Sequence, residues 1–105
     1  MAQARWTSSA KKDLKDIVSF ISTRDGRRQT AKKIAQEIYD KVAQFASQPL
    51  LGELYSELGT GFRGFVHKRW LIIYQPRNYG IEVYAVLDSS RDFAEFFRRR
   101  TGIGG

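Results

Sequence analysis

Apolar residues recur at the i, i+3, i+4, i+7 spacing of a helix face in two segments of the N-terminal half. The first stripe consists of Leu14, Ile17, Val18 and Ile21. The second runs from Ala31 to Ala46, and Gln48-Pro49 ends it because proline cannot continue a helix. The sequence therefore predicts two amphipathic helices, separated near Asp25-Gly26. Ser8 or Ser9 would cap the first helix, and the second would begin near Thr30.

The remainder of the chain favours strands and a third helix. Residues 62–68, 70–75 and 81–87 form three short β-type runs, and residues 4–7 suit an edge strand. In the last run, alternation of Ile81, Val83, Ala85 and Leu87 with the residues between them predicts one face on the core and one face outward. Residues 50–61 contain three glycines and are predicted to form a loop, whereas residues 90–100 are predicted to form a helix.

These elements follow the order β-α-α-β-β-β-α. They predict an α+β fold in which a helical hairpin packs on one face of an antiparallel sheet. A chain of 105 residues fits one domain, expected at residues 1–101, with residues 102–105 as a flexible tail. No glycine-rich phosphate loop follows a predicted strand, which argues against a nucleotide-binding fold.

Composition changes this picture mainly through charge. Eighteen Lys and Arg against eleven Asp and Glu give a net charge of +7. Residues 1–50 contribute +5 (ten basic, five acidic) and residues 51–105 contribute +2 (eight basic, six acidic). This balance favours a partner that is acidic or rich in phosphate, such as nucleic acid or an acidic protein.

Several classes of site and location are disfavoured by what the chain contains. It has no cysteine and one histidine, so we expect neither a metal site nor thiol chemistry, and no cofactor. The longest apolar run, residues 70–74, is far shorter than the ~20 residues of a membrane span. The first residues lack the apolar core of a signal peptide, so a cytoplasmic location without membrane contact is expected.

A set of short motifs spread over most of the chain carries a family resemblance. They are Trp6-Thr7, Ala10, Asp13-Leu14, Ala31, Ile38, Pro49, Gly52, Glu57-Leu58, Gly61-Phe62-Arg63, Ile73-Tyr74, Val86-Leu87 and Arg91-Asp92. In this order and spacing the chain resembles the RelE/ParE superfamily of bacterial type II toxins, in particular the ParE or plasmid-stabilisation branch. Many relatives have histidine where this chain has Asp88.

The resemblance implies a toxin that forms a hetero-oligomer with an antitoxin encoded beside it. Such an antitoxin usually has a DNA-binding N-terminal part and a flexible C-terminal part, here expected to be acidic and amphipathic. RelE-like members cut mRNA on the ribosome, whereas ParE-like members inhibit DNA gyrase and are not known as enzymes. A third possibility is a family member that has lost toxicity and acts only as a binding module.

The residue types available for catalysis favour the ParE-like alternative. A ribonuclease would have to use Arg63, His67, Lys68 and Arg69. The segment after Leu87 contains four arginines but no Tyr, His or Lys, and arginine does not release a proton near neutral pH. We therefore expect inhibition of gyrase by binding, with no catalytic residues, and keep the ribosome-dependent endoribonuclease as the alternative.

Candidate contact residues follow from this hypothesis. The cations expected to contact the target are Arg63, Lys68, Arg69, Arg77, Arg91, Arg98, Arg99 and Arg100. Arg63 has a structural alternative, an ion pair with Glu57, and Arg91-Asp92 has one as an ion pair or helix-start device. At helical spacing Phe93, Phe96 and Phe97 predict that two rings dock the last helix on the sheet. The alternative is that part of this set, together with Ile103, lies open for the antitoxin or for gyrase, so Phe93, Phe96 and Phe97 are the candidate contacts with the antitoxin.

Overall fold

The computed structural model describes residues 2–24 and 26–101 of the chain. The elements within these residues are β1 (Gln3–Trp6), α1 (Ser8–Arg24), α2 (Arg28–Ser47), β2 (Glu53–Leu54), a 3-10 helix (Ser56–Leu58), β3 (Arg63–His67), β4 (Trp70–Arg77), β5 (Gly80–Asp88) and α3 (Phe93–Thr101). The predicted α+β class and the order of the predicted elements are confirmed. Asp25, the predicted tail 102–105 and its Ile103 lie outside the described residues. Within the described part, no helix is both long and apolar enough to cross a membrane.

The strands form one sheet in the order β1-β5-β4-β3-β2. All neighbours are antiparallel except β1, which pairs parallel with β5. The prediction of an antiparallel sheet is therefore wrong at this edge. The helical hairpin leads from β1 to β2 at the opposite edge, and the antiparallel strands β2 to β5 then return to β1, so that β5 runs in the same direction as β1. Gly80 makes the close pairing possible: a Cβ there would lie 2.1 Å from the Gln3 carbonyl oxygen. A two-residue strand, β2, also replaces part of the predicted loop.

A β-bulge in β5 changes which side chains share a face. Ile73 lies opposite Ala85 but Tyr74 lies opposite Val83, so Tyr84 is an extra residue in β5. The inward residues Ile81, Val83 and Val86 belong to one core, and Ala85 and Leu87 belong to the other. The prediction of one alternating apolar face in β5 is wrong for this reason, and both faces of the sheet are covered.

Two cores lie on the two faces of the sheet. On one face α1 and α2 pack against Phe65, Ile72, Tyr74 and the first set of β5 residues. On the other face α3 and the 3-10 helix enclose Leu58, Phe62, Leu71 and Phe97. The ring of Phe97 meets that of Phe62 edge-on, with 4.9 Å between the ring centroids. The last helix is thus docked by its own apolar stripe.

Side-chain caps define two helix starts that differ from the predicted ones. The Thr7 hydroxyl, not Ser8 or Ser9, accepts the Ala10 N–H at the start of α1. An Asp92 carboxylate oxygen accepts the Glu95 N–H, so α3 begins at Phe93 and not at residue 90. Asp92 therefore acts as a helix-start device. The residue before α2, Arg27, makes no such side-chain hydrogen bond.

Candidate partner-binding site

An open cleft of about 620 Å³ lies between α1 and α3, beside the C-terminal end of β5. We call it the α1–α3 cleft. Its apolar lining consists of Ile17, Phe20, Trp70, Val86, Leu87, Phe93 and Phe96. Phe20 and Phe96 leave about half of their surfaces exposed, at 49% and 50%. An apolar cleft with exposed aromatic rings on both walls is typical of a surface that another chain covers.

The cleft exists because β1 is shorter than β5. Pairing of the two strands ends where Trp6 meets Val83, so no strand of the described residues lies beside the edge of β5 beyond Val83 on that side. The Val86 N–H on this edge donates to Asp13 of α1 at 3.0 Å. Asp13 thereby satisfies one exposed strand group and holds α1 against the floor of the cleft.

A second contact of Asp13 fixes the two walls relative to each other. Both of its carboxylate oxygens accept hydrogen bonds from the Arg100 guanidinium near the end of α3, at 2.5 and 2.8 Å. The two side chains are only 12% and 19% exposed. A bidentate, mostly buried pair of this kind holds its partners in one geometry. Asp13 is the functional residue that sequence reasoning missed, although it belongs to the motif Asp13-Leu14.

Most charges that line the cleft are neutralised within the chain. Arg69 pairs with Asp88, and Arg99 pairs with Glu95. The Ser90 hydroxyl and N–H, with help from Arg69, hold the pKa of Asp88 well below its usual range. Among the described residues that line the cleft, Arg91 is the cation for which no ion pair is present.

The residues proposed for ribonuclease activity do not meet at one place. The Arg63 guanidinium donates to the carbonyl oxygens of Leu50 and Gly52, at 3.3 and 2.8 Å, instead of pairing with Glu57. Arg63 and His67 stand at opposite ends of β3, about 13 Å apart at the ordinary rise of a strand. Arg69 faces the α1–α3 cleft. One phosphate group cannot contact such a dispersed set.

His67 and Lys68 both contact α2. His67 Nε2 lies 2.8 Å from Glu37 Oε1, and Lys68 Nζ lies 3.4 Å from the same oxygen. The contact with His67 and then that with Lys68 lower the pKa of Glu37, against the effect of burial. This cluster ties the end of β3 to the helical hairpin.

Gly52, Arg63 and Tyr74, three residues of the motifs, form a hydrogen-bonded cluster with the backbone of residues 49–52, and we call this cluster the node. The buried Tyr74 hydroxyl donates to the Pro49 carbonyl at 2.7 Å and accepts the Gly52 N–H at 3.0 Å. Burial raises the pKa of Tyr74, which keeps the hydroxyl as a donor. A Cβ on Gly52 would lie 2.4 Å from that hydroxyl oxygen, so only glycine fits. With Arg63 on the neighbouring carbonyls, these residues hold the loop formed by residues 49–52.

The other predicted contact residues can be placed in the same way. Arg77 binds Glu82 and the Tyr84 hydroxyl, and Arg98 binds Glu95. Seven of the eight cations predicted to contact a target therefore bond to groups of the chain itself, and Arg91 is the exception among the described residues. Composition alone could not predict that these cations bond to groups of the same chain.

The three phenylalanines of α3 occupy different environments. Phe97 is fully buried in the second core, so its side chain does not form part of the surface. Phe93 is partly buried against the same core and also lines the α1–α3 cleft. Phe96 is the exposed ring, with the Arg100 guanidinium 5.2 Å from its centroid. No group of three His, Cys, Asp or Glu within residues 2–24 and 26–101 could hold a metal ion.

Comparison with known proteins relates this architecture to one family. The family model described as "ParE toxin of type II toxin-antitoxin system, parDE" matches residues 4–93. Among solved structures, a chain of the chromosomal ParDE TA system from P. aeruginosa matches with a TM-score of 0.65. Its sequence identity is 22%, and the match covers 84% of this chain and 96% of that chain, so the likeness concerns the fold. Comparison with curated proteins gave no significant match.

Proposed function

Because the chain belongs to the ParE toxin family of type II toxin–antitoxin systems, we propose that it inhibits DNA gyrase by binding and that a cognate antitoxin neutralises it. The observation that carries the proposal is the α1–α3 cleft, an apolar surface that a partner must cover. Membership of the family supports the toxin assignment, and the contacts described above support a binding mechanism.

The occupant of the cleft is an acidic, amphipathic segment of the antitoxin. Phe20 and Phe96 offer apolar surface on the two walls, and Arg91 offers a cation without an internal ion pair among the described residues. A segment with apolar residues on one side and a carboxylate near Arg91 matches both features. The net charge of +7 raises the encounter rate with such a segment.

A binding mechanism is also favoured by the state of the candidate catalytic residues. Arg63 is held by two carbonyl oxygens, and His67 shares Glu37 with Lys68. General acid–base catalysis needs groups within hydrogen-bond reach of the same substrate atoms. These side chains instead hold a loop and a strand end, so their role in the proposal is structural.

Binding of the antitoxin can be tested with paired variants. The double variant F20A/F96A removes apolar surface from both walls of the cleft, and L54A/V66A removes similarly exposed apolar side chains elsewhere. We expect F20A/F96A to weaken binding of the protein encoded beside this chain at least about tenfold, as truncation of interface aromatic anchors does. L54A/V66A should change it less than about twofold. Equal losses in both variants, or no binding by the unaltered chain, would contradict the cleft assignment.

The gyrase target needs a separate experiment. The purified chain should inhibit supercoiling by purified gyrase and increase linear DNA, and its expression without antitoxin should induce DNA-damage signalling. Translation-dependent cuts in mRNA with unaffected supercoiling would instead indicate the ribonuclease alternative. Normal growth with neither activity would show that the chain is a binding module without toxicity. Either of these two results would overturn the proposed target.

A further inference from the structure

A cluster of exposed cations marks the end of the helical hairpin formed by α1 and α2. The five side chains are Arg24, Arg27, Arg28, Lys32 and Lys33, and we call them the hairpin tip. Residues 24–33 contain one acidic residue, Asp25, and so carry +4 of the net charge of +7. More than half of the net charge of the protein therefore lies in ten consecutive residues.

The carboxylates of α1 and α2 do not neutralise this charge. Asp16 pairs with Lys12, and Asp40 accepts a hydrogen bond from Gln36. Glu37 has the helical spacing to pair with Lys33 or Lys41, but His67 and Lys68 of the sheet contact it instead. No ion pair with a described residue is present for any hairpin-tip cation.

Local folding does not account for cations at these positions either. Arg27 directly precedes α2 and Arg28 is its first residue, so both lie where the positive end of the helix dipole disfavours positive charge. The first turn of α2 contains no acidic residue. The arrangement lowers the stability of the isolated helix, and an anion bound at this end would offset that cost.

We propose that the hairpin tip binds the phosphate backbone of double-stranded DNA. Arg28 and Lys32 are one helical turn apart, about 6 Å along the axis, and thus share a face of α2. Residues 24–33 contain no aromatic side chain, whereas surfaces for single strands combine cations with rings on which bases stack. The Phe20 ring lies against the tip, 5.3 Å from the Arg24 guanidinium, but a single ring does not provide the series of rings on which successive bases stack. A mainly cationic surface of this kind fits a duplex backbone and does not select a sequence.

This inference goes beyond the proposed function, because it does not depend on whether gyrase is the target. It can be tested by fluorescence anisotropy with the full chain and a labelled 20-base-pair DNA duplex over a range of salt concentrations. Five phosphate contacts predict a slope of log K against log salt of about −4.5, at about −0.9 per contact. Duplex RNA, single-stranded DNA and polyglutamate of similar charge serve as alternative ligands.

Two triple variants that each remove three positive charges distinguish binding by the hairpin tip from binding by the overall positive charge of the protein. R28Q/K32Q/K33Q alters the hairpin tip, and K11Q/K15Q/K41Q alters exposed lysines of the same helices that also lack a described ion pair. We expect the tip variant to bind duplex DNA more than about tenfold more weakly, with a slope smaller by about 2.7. The control should lose less than about threefold. Equal losses in both, no binding to duplex DNA, or tighter binding to any alternative ligand would overturn the proposal.

Discussion

Residues 63–100 contain eight Lys and Arg, and seven of them contact an oxygen atom of the same chain. The helical hairpin, residues 8–47, contains nine, of which one forms an ion pair with a described residue. The first group holds β3, β5 and α3 in place. The second group projects from α1 and α2, with Arg24 resting over the Phe20 ring at 5.3 Å from its centroid. The cationic side chains that give the net charge therefore fall into two groups. One is part of the fold, and the other is available to a partner.

The largest effect is expected where an internal cation loses its partner. Replacing Asp13 with Ala leaves Arg100 and the Val86 N–H without their acceptor, so D13A should lower the free energy of unfolding by about 3 kcal/mol. Asp16 lies on the same helix but pairs with Lys12 in solvent, so D16A should cost less than about 0.5 kcal/mol. Urea denaturation measures both values, and similar costs would contradict the distinction.

A smaller effect is expected for Arg63, whose partners are neutral carbonyl groups. R63A should lower the free energy of unfolding by about 1–2 kcal/mol, because the Leu50 and Gly52 carbonyls lose a charged donor. The matched control is R91A, which removes an exposed arginine without a described partner and should change stability by less than about 0.5 kcal/mol. Faster hydrogen exchange near Gly52 in R63A alone would localise the loss. An R63A chain as stable as R91A would show that the node does not need this cation.

The pH dependence of stability tests the pair formed by Arg69 and Asp88. Folding lowers the pKa of Asp88 below its ordinary value of 3.8, so its ionised form stabilises the fold above that pH. This contribution is lost as the pH falls through the lower folded pKa. The Tm difference between the unaltered chain and D88N should therefore be largest near neutral pH and shrink below pH 3.8. S90A, which removes the largest contributor, should reduce the dependence; a constant difference over this range would contradict the assignment.

The smallest effect on stability is expected at the hairpin tip. R28Q/K32Q/K33Q removes three cations that make no internal ion pair with a described residue, so the free energy of unfolding should change by less than about 0.5 kcal/mol per substitution. Any change should be stabilising at low salt, because like charges near the positive end of α2 are removed. Urea denaturation at low salt measures this change. A decrease in the free energy of unfolding of more than about 2 kcal/mol would show that these three cations stabilise the fold and would contradict the prediction.

Local patterns were sufficient to predict much of this molecule. Periodicity predicted both hairpin helices, the three-stranded meander and the docking of the last helix by its aromatic stripe, since these depend on residues close in sequence. The parallel pairing of β1 and the bulge at Tyr84 depend on strands far apart in the chain, so neither has a local signal.

The candidate site was less predictable for the same reason. Asp13 and Arg100 are 87 residues apart. Glu37 has the helical spacing to pair with Lys41, but His67 and Lys68 of the sheet contact it instead. Motif residues such as Gly52, Arg63 and Tyr74 meet beneath residues 49–52, where they bond to one another and to backbone carbonyl groups. The residue types therefore indicated which groups are important but not what each one does.

The bulge in β5 allows this strand to lose one residue at one particular place. Because Tyr84 is one residue more than β4 requires, deleting its codon would restore plain alternation and leave Ala85, Val86 and Leu87 opposite the same residues of β4. Each of these side chains would keep its present core. Deleting the codon of Val86 instead would bring Leu87 opposite Ile72 and turn it into the other core, so the length of β5 can change at the bulge but not beyond it.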